Sequence, residues 1–185
     1  TNKEYFFPVD PTSRREAMIG GILSCNASGF IPGEKGATRY WVHSLNFILP
    51  NGYSIKCKRG DYISYKSHFM IGNAKLNLPN YNRPKIKNAS GPYTCDISEI
   101  DFIDFIIGSE GIFGLITDCT FQLQKKSKSY LDLFVLLESE SIAVNLYQYL
   151  MDKFDYDLSQ ISALEYFGYN CQNYMINKDI FFKND

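Results

Sequence analysis

Leu115, Thr117, Cys119, Phe121 and Leu123 alternate with Asp118, Thr120, Gln122 and Gln124. This is the period-2 pattern of a half-buried strand. Upstream, Trp41, His43, Leu45, Phe47 and Leu49 alternate in the same way. The chain then turns at Pro50-Asn51-Gly52 and resumes with Tyr53, Ile55 and Cys57 on one face and Ser54, Lys56 and Lys58 on the other. The pattern predicts an antiparallel hairpin, because Asn-Gly accepts the two positive-φ positions of a type I′ turn. We expect this hairpin in one sheet with the strand from Leu115. His43 shares the Trp41/Leu45 face, where a packed histidine is expected rather than a catalytic one.

Helical signals are shorter. Ser13-Arg14-Arg15-Glu16 has the form of a capping box and predicts a helix running towards Asn26, after which Asn26-Ala27-Ser28-Gly29 reads as a turn, with a plain helix C-cap at Gly29 as the alternative. Gly20-Gly21 inside that helix costs about 1 kcal/mol per glycine relative to alanine, so a packing or ligand requirement is expected there. Ile97, Ile100, Ile103 and Ile107 recur at helical spacing with Asp96, Glu99, Asp101 and Asp104 between them. They predict a short amphipathic helix whose acids form a solvated face. Residues 60–95 show neither periodicity and read as a long loop. After Gln124-Lys125-Lys126-Ser127-Lys128-Ser129, read as a linker, Tyr130 to Leu137 predicts a strand. A helical stripe follows at Ile142, Leu146, Tyr149, Leu150 and Phe154, then a second strand near Ile161 to Phe167. This β-α-β run would open a second domain, giving an α+β chain with domains at 1–126 and 130–185.

With 185 residues and 45% apolar content the chain can bury a full core. A net charge of −1 gives no general pull towards nucleic acid, and no run of ~18 apolar residues offers a transmembrane segment. The five cysteines are odd in number and form no Cys-x-x-Cys pair, which argues against a disulfide framework and against a zinc or iron–sulfur site. A reducing, cytoplasmic setting is the simplest reading. His43 and His68 are the only histidines, and no catalytic triad can be built around them.

Two glycine clusters carry the candidate chemistry. Ile107-Gly108-Ser109-Glu110-Gly111-Ile112-Phe113-Gly114 runs into the strand from Leu115, and Ile19-Gly20-Gly21-Ile22-Leu23-Ser24-Cys25-Asn26-Ala27-Ser28-Gly29 follows Phe7-Pro8-Val9-Asp10-Pro11-Thr12-Ser13. Glycine lets a flat or anionic ligand approach the backbone with no Cβ in the way, and clustered turn amides can donate to a phosphate. Pro-x-Asp-Pro-Thr-Ser, Ile-Gly-Gly, Asn-Ala-Ser-Gly, Gly-Ala-Thr-Arg and Gly-Ser-Glu-Gly-x-x-Gly, in this order and spacing, resemble the FAD-binding domain of flavoenzymes of the vanillyl-alcohol oxidase / p-cresol methylhydroxylase type. The likeness covers roughly residues 6 to 125 and leans towards the glycolate oxidase D subunit and D-lactate dehydrogenase branch.

The resemblance implies the second subdomain of such a domain, a sheet with flanking helices, followed by the start of a ferredoxin-like α+β cap. It implies FAD as cofactor. Carried over residue by residue, the cofactor-lining positions are Pro11, Thr12, Ser13, Arg14, Arg15, Glu16 and Ala17; Gly20 and Gly21; Cys25, Asn26, Ala27, Ser28 and Gly29; and Glu110, Gly111, Ile112, Phe113, Gly114, Leu115 and Ile116. Lys85, Lys87 and Asn88-Ala89-Ser90-Gly91 occupy the family's Lys-Asn-x-x-Gly-Tyr segment, with Pro92 intervening. Arg39 falls in the family's Tyr-Gly-x-Thr-Arg position, but Lys35 replaces the tyrosine, so a surface salt bridge and a functional role stand level.

Without the family's earlier glycine-rich pyrophosphate loop the chain reads as a fragment that would hold FAD weakly by itself. The family's substrate-handling histidines and acid would lie beyond Asp185, leaving no catalytic residue to name. No histidine in the early motifs offers a covalent link, so a dissociable FAD is expected. The implied activity is oxidation of a small 2-hydroxy acid by hydride transfer to flavin. Electrons would pass to an iron–sulfur, cytochrome or quinone partner, which could hold the protein at the inner membrane. Two other readings are a non-redox flavin transferase of the alkylglycerone-phosphate synthase type and a non-catalytic module derived from a flavin domain.

Overall fold

The computed structural model describes residues 3–78 and 99–174. The chain forms two compact units, Thr1–Ser127 and Lys128–Asp185. Unit one contains β1 (Tyr5–Phe6), α1 (Ile19–Ser24), α2 (Thr38–Trp41), β2 (Val42–Ile48), β3 (Ser54–Lys58), β4 (His68–Ile71), β5 (Ala74–Asn77), α3 (Phe102–Ile106), β6 (Leu115–Phe121) and β7 (Gln124–Lys125). Unit two contains α4 (Glu140–Lys153).

The expected hairpin and its third strand form a sheet in the order β3-β2-β6, antiparallel throughout. Its turn differs from the expected type I′. Gly52 N donates to Leu49 O at 2.8 Å and Leu49 N to Tyr53 O at 2.9 Å, and of the central residues only Gly52 has positive φ, +83°. That is a three-residue connection, a β-turn closed by a glycine in the left-handed region. Pro50 favours it, because the pyrrolidine ring holds φ near −65°, the value the first central position of the Leu49–Gly52 turn takes.

Two bulges correct the strand phases. In the β2/β6 ladder Val42 faces Phe121 and Ser44 faces Thr120, so His43 is an extra residue; Asn46 faces Asp118 and Phe47 faces Ile116, so Thr117 is another. One inserted residue reverses which face its neighbours occupy. His43 is therefore exposed instead of packed, while Val42, Leu45 and Phe47 are buried. On β6, Cys119 and Phe121 pack on the core as expected, but Ile116 takes the inward place below the bulge and Leu115 is 67% exposed. Trp41 belongs to α2, with its indole N–H donating to Lys35 O at 2.8 Å, and is not the first residue of the strand.

Residues 60–78, read as loop, contain the β4/β5 hairpin, joined by Gly72-Asn73 with Gly72 at φ +57°. Phe69 of this hairpin meets Phe102 and Phe105 of α3 with ring centroids 5.5 and 5.7 Å apart. Phe102, Ile103, Phe105 and Ile106 are all buried, so α3 is a core helix in which Asp104 is the one polar residue. The acids around it are structural. Asp101 caps the helix by accepting from Ile103 N at 2.8 Å and takes Gly60 N on its other oxygen at 2.7 Å, and Asp104 pairs with Arg59 at 2.9 Å. Ile97, Asp96, Cys95, Lys85, Lys87 and Asn88–Pro92 lie outside the described residues.

The first two residues of the expected linker are a strand. β7 pairs with β1, Tyr5 opposite Lys125 and Phe6 opposite Gln124, and Phe7 packs on Phe121 at 4.5 Å between centroids. In unit two, α4 forms with Ser139 as its N-cap, but residues 130–137 and 161–167 are not strands. Leu131, Leu133, Phe134, Val135 and Leu136 are exposed. Alternation and apolarity make a segment fit to be a strand; ladder partners make it one, because unpaired backbone N–H and C=O groups gain nothing from extension.

Candidate cofactor site

The continuous helix expected from Ser13 does not form. Residues 12–16 are turns, in which Arg14 N donates to Pro11 O at 3.0 Å and Glu16 N and Ala17 N both donate to Ser13 O at 2.9 Å. α1 starts afresh after Met18 and ends within six residues. Its end is a Schellman arrangement: Asn26 N donates to Leu23 O at 3.1 Å and Ala27 N to Ile22 O at 2.9 Å, with Asn26 left-handed at φ +47°. The C-terminal stop is thus Asn26 and not Gly29.

Asn26 is wholly buried, and its Oδ1 accepts from the backbone N of Arg39 at 2.8 Å. Thr38 reinforces the same junction, since its N and Oγ1 both donate to Ala27 O, at 3.0 and 2.7 Å. Gly29 N donates to Gly36 O at 2.9 Å, beside the Ser28/Ala37 bridge. The Asn-Ala-Ser-Gly and Gly-Ala-Thr-Arg motifs are therefore two sides of one backbone seam.

The second glycine cluster joins this seam. Gly108 N donates to Leu23 O at 3.0 Å and Glu110 N to Ser24 O at 2.9 Å, while Arg39 Nη2 donates to Ile107 O at 2.6 Å. Gly108, Glu110 and Gly111 have φ of +86°, +53° and +80°, so the chain curls through left-handed residues before Gly114 admits it to β6. Arg39 is only 4% exposed, which rules out the surface salt bridge. Arg59 holds the same corner from behind: its Nη2 donates to Arg39 O at 2.5 Å and its Nε to Val42 O at 2.7 Å.

The glycines divide into two kinds. A Cβ on Gly114 would stand 2.1 Å from Ile48 O and 2.9 Å from the Phe47 ring, and one on Gly29 would stand 2.6 Å from Asp10 N. These two permit close packing of the chain on itself. A Cβ on Gly20 or Gly21 would meet nothing within 4 Å, and one on Gly111 only Gly114 O at 3.9 Å. The space over these three is open, and they lie exposed among Met18, Ile19, Cys25, Glu110, Ile112 and Leu115.

Such a bare, largely apolar backbone surface fits the flat ring of a flavin, which needs contact without intruding side chains. Of the other expected site residues, Thr12 to Glu16 are exposed, with Arg14 paired to Asp10. Pro11, Ala17, Ala27 and Ser28 are half-buried; Phe113 stacks on Phe105 at 4.7 Å and Ile116 faces the core. Among the described residues no group of three or more His, Cys, Asp or Glu could hold a metal. None of their helices is long and apolar enough to cross a membrane. Arg59 and the buried role of Arg39 were not legible in the motifs; an arginine beside an apolar strand was the one available signal.

Residues 1–58 match the family model described as FAD binding domain. The chain is 25% identical over 138 residues to the glycolate oxidase subunit GlcD of Bacillus subtilis (strain 168), covering 75% of this chain and 23% of that protein. It is 24% identical to the D-2-hydroxyglutarate dehydrogenase of Stutzerimonas stutzeri (strain A1501), covering 90% of this chain and 28% of that protein. It is 32% identical to the mitochondrial D-lactate dehydrogenase [cytochrome] of Arabidopsis thaliana, covering 65% and 15%. The chain thus spans less than a third of the length of these relatives. Residues 1–58 thus carry FAD-binding-domain sequence, which indicates FAD as the cofactor, and the chain as a whole is similar to these relatives.

Proposed function

We propose that this chain belongs to an FAD-dependent oxidoreductase that oxidises a small 2-hydroxy acid of the D-lactate or glycolate type. The observation that carries the reading is the pair of backbone hydrogen bonds from Gly108 and Glu110 to the end of α1. They bring the two glycine clusters together and leave Gly20, Gly21 and Gly111 open on the outside. Gly20, Gly21, Gly111, Ile112 and Leu115 would line the cofactor, while Asn26, Gly29 and Gly114 would shape that lining from within. Bound FAD would supply the hydride acceptor. The chain's own residues would orient the ring and exclude water from the face they cover. The relatives' printed names favour 2-hydroxy acid oxidation over an adduct-forming transferase. The second unit would begin the substrate-covering cap, and an electron-accepting partner would complete turnover.

The test is the absorbance spectrum of the complete gene product, followed by anaerobic addition of D-lactate, glycolate or D-2-hydroxyglutarate. Bleaching of the flavin band by one of these acids is expected. A protein that takes up no FAD overturns the reading in favour of a non-catalytic module. A flavoprotein indifferent to all three acids and active in transfer overturns it in favour of a transferase.

A further inference from the structure

We propose that Arg39 is the positioning residue of the flavin turn, its guanidinium on Ile107 O setting the direction in which the Gly108–Gly111 backbone faces the cofactor. This rests on the flavin reading of the site. Arg39 touches both glycine clusters: its backbone N–H is held by Asn26 Oδ1 at the end of α1, and its Nη2 reaches Ile107 O at 2.6 Å. Its own carbonyl is held by Arg59, which is paired with Asp104 of α3. The guanidinium is thus fixed at its root by two side chains before it makes the contact at its tip. Ile107 is the last residue before the chain turns left-handed, so the orientation of its peptide governs where the Gly108 amide and the exposed Glu110–Gly111 segment point. A buried charged donor on one carbonyl is a strong hydrogen bond, and removing it leaves that carbonyl without its charged donor.

The experiment compares the full-length parent with Arg39→Met, Arg39→Lys and Ile103→Val. Ile103 is a buried core residue of α3 with no polar link through its side chain, so its variant controls for general loss of stability. Hydrogen exchange at the Gly108 and Glu110 amides is read without FAD, and affinity for FAD by quenching of flavin fluorescence. In Arg39→Met we expect faster exchange at these two amides and FAD binding weaker by about tenfold to a hundredfold, the worth of one charged hydrogen bond. Arg39→Lys, which keeps the charge and a donor, should fall between it and the parent. Ile103→Val should change neither readout.

A folded Arg39→Met with parental FAD affinity and parental exchange overturns the proposal. Should that variant not fold, Arg39→Lys decides: FAD binding weakened by more than about threefold supports the proposal, and parental binding overturns it. A parent protein that takes up no FAD fails the functional reading, and the proposal with it. A flavin-loaded parent indifferent to Arg39 fails the proposal alone.

Discussion

The seam where the two glycine clusters meet and the surface they present outwards are built from the same motifs under opposite constraints. Along the seam, Gly29 and Gly114 are pressed against backbone atoms, Asn26 is sealed inside, and Asn26 Oδ1, Thr38 Oγ1 and Arg39 Nη2 each bond another part of the chain. On the surface, Gly20, Gly21 and Gly111 have empty space where a side chain would go. A glycine motif therefore contains two kinds of glycine, one that closes the fold and one that keeps a surface bare. Stability measurements should find the first kind, and cofactor measurements the second.

The largest effect is expected at Gly114. Its φ of +144° is essentially reserved for glycine, and a Cβ there collides with a backbone oxygen of β2 that cannot step aside. Gly114→Ala should cost more than about 3 kcal/mol, read as a lowered urea midpoint or failure to fold. A variant as stable as the parent would break the distinction between the two kinds.

A second prediction uses Cys57 of β3, which is buried where Cys25 is exposed. Burial, with the charges of Asp101 and Asp61 adding to it, pushes the Cys57 thiol up to about 11 from 9.0. The folded state therefore keeps a proton that the unfolded state releases between these values. The associated stability is fully present below pH 9 and is lost as the pH rises towards 11, by up to about 2 to 3 kcal/mol. The parent should lose more stability than Cys57→Ala between pH 8 and pH 10.5 in urea titrations. Parallel losses would show that the thiol is not sequestered.

Gly111→Ala should be milder for the fold and harsher for the cofactor. A left-handed alanine costs about 1 to 2 kcal/mol, with no collision to add to it. A methyl group on the open side should still lower FAD content, measured by flavin absorbance per folded protein. Full FAD content in this variant would place the cofactor elsewhere. The smallest change in stability is expected at Gly20. Gly20→Ala sits in α1 with nothing within 4 Å and should raise stability by about 0.4 to 1 kcal/mol while weakening FAD binding. Opposite signs in thermal midpoint and FAD affinity are the signature of a surface kept bare for a ligand.

The sequence by itself determined the hairpin and its third strand, the helical stripe of α4 and the linked motifs that resemble an FAD-binding domain. These follow from local properties: side-chain period, turn residues and backbone freedom are set by neighbours along the chain. It did not determine strand phase, because each bulge arises from the fit of one strand against another, and a single extra residue at His43 or Thr117 exchanges the inner and outer faces. Nor could it say that Asn26, rather than Gly29, ends α1, or that Arg39 is buried. A left-handed asparagine becomes worthwhile only when the Arg39 backbone arrives to use its side chain, and a buried arginine only when a carbonyl such as Ile107 O is waiting. The runs at 130–137 and 161–167 show the same limit from the other side. Their apolar pattern is that of strands, but pairing is a property of partners, and only the tertiary structure decides whether partners are there.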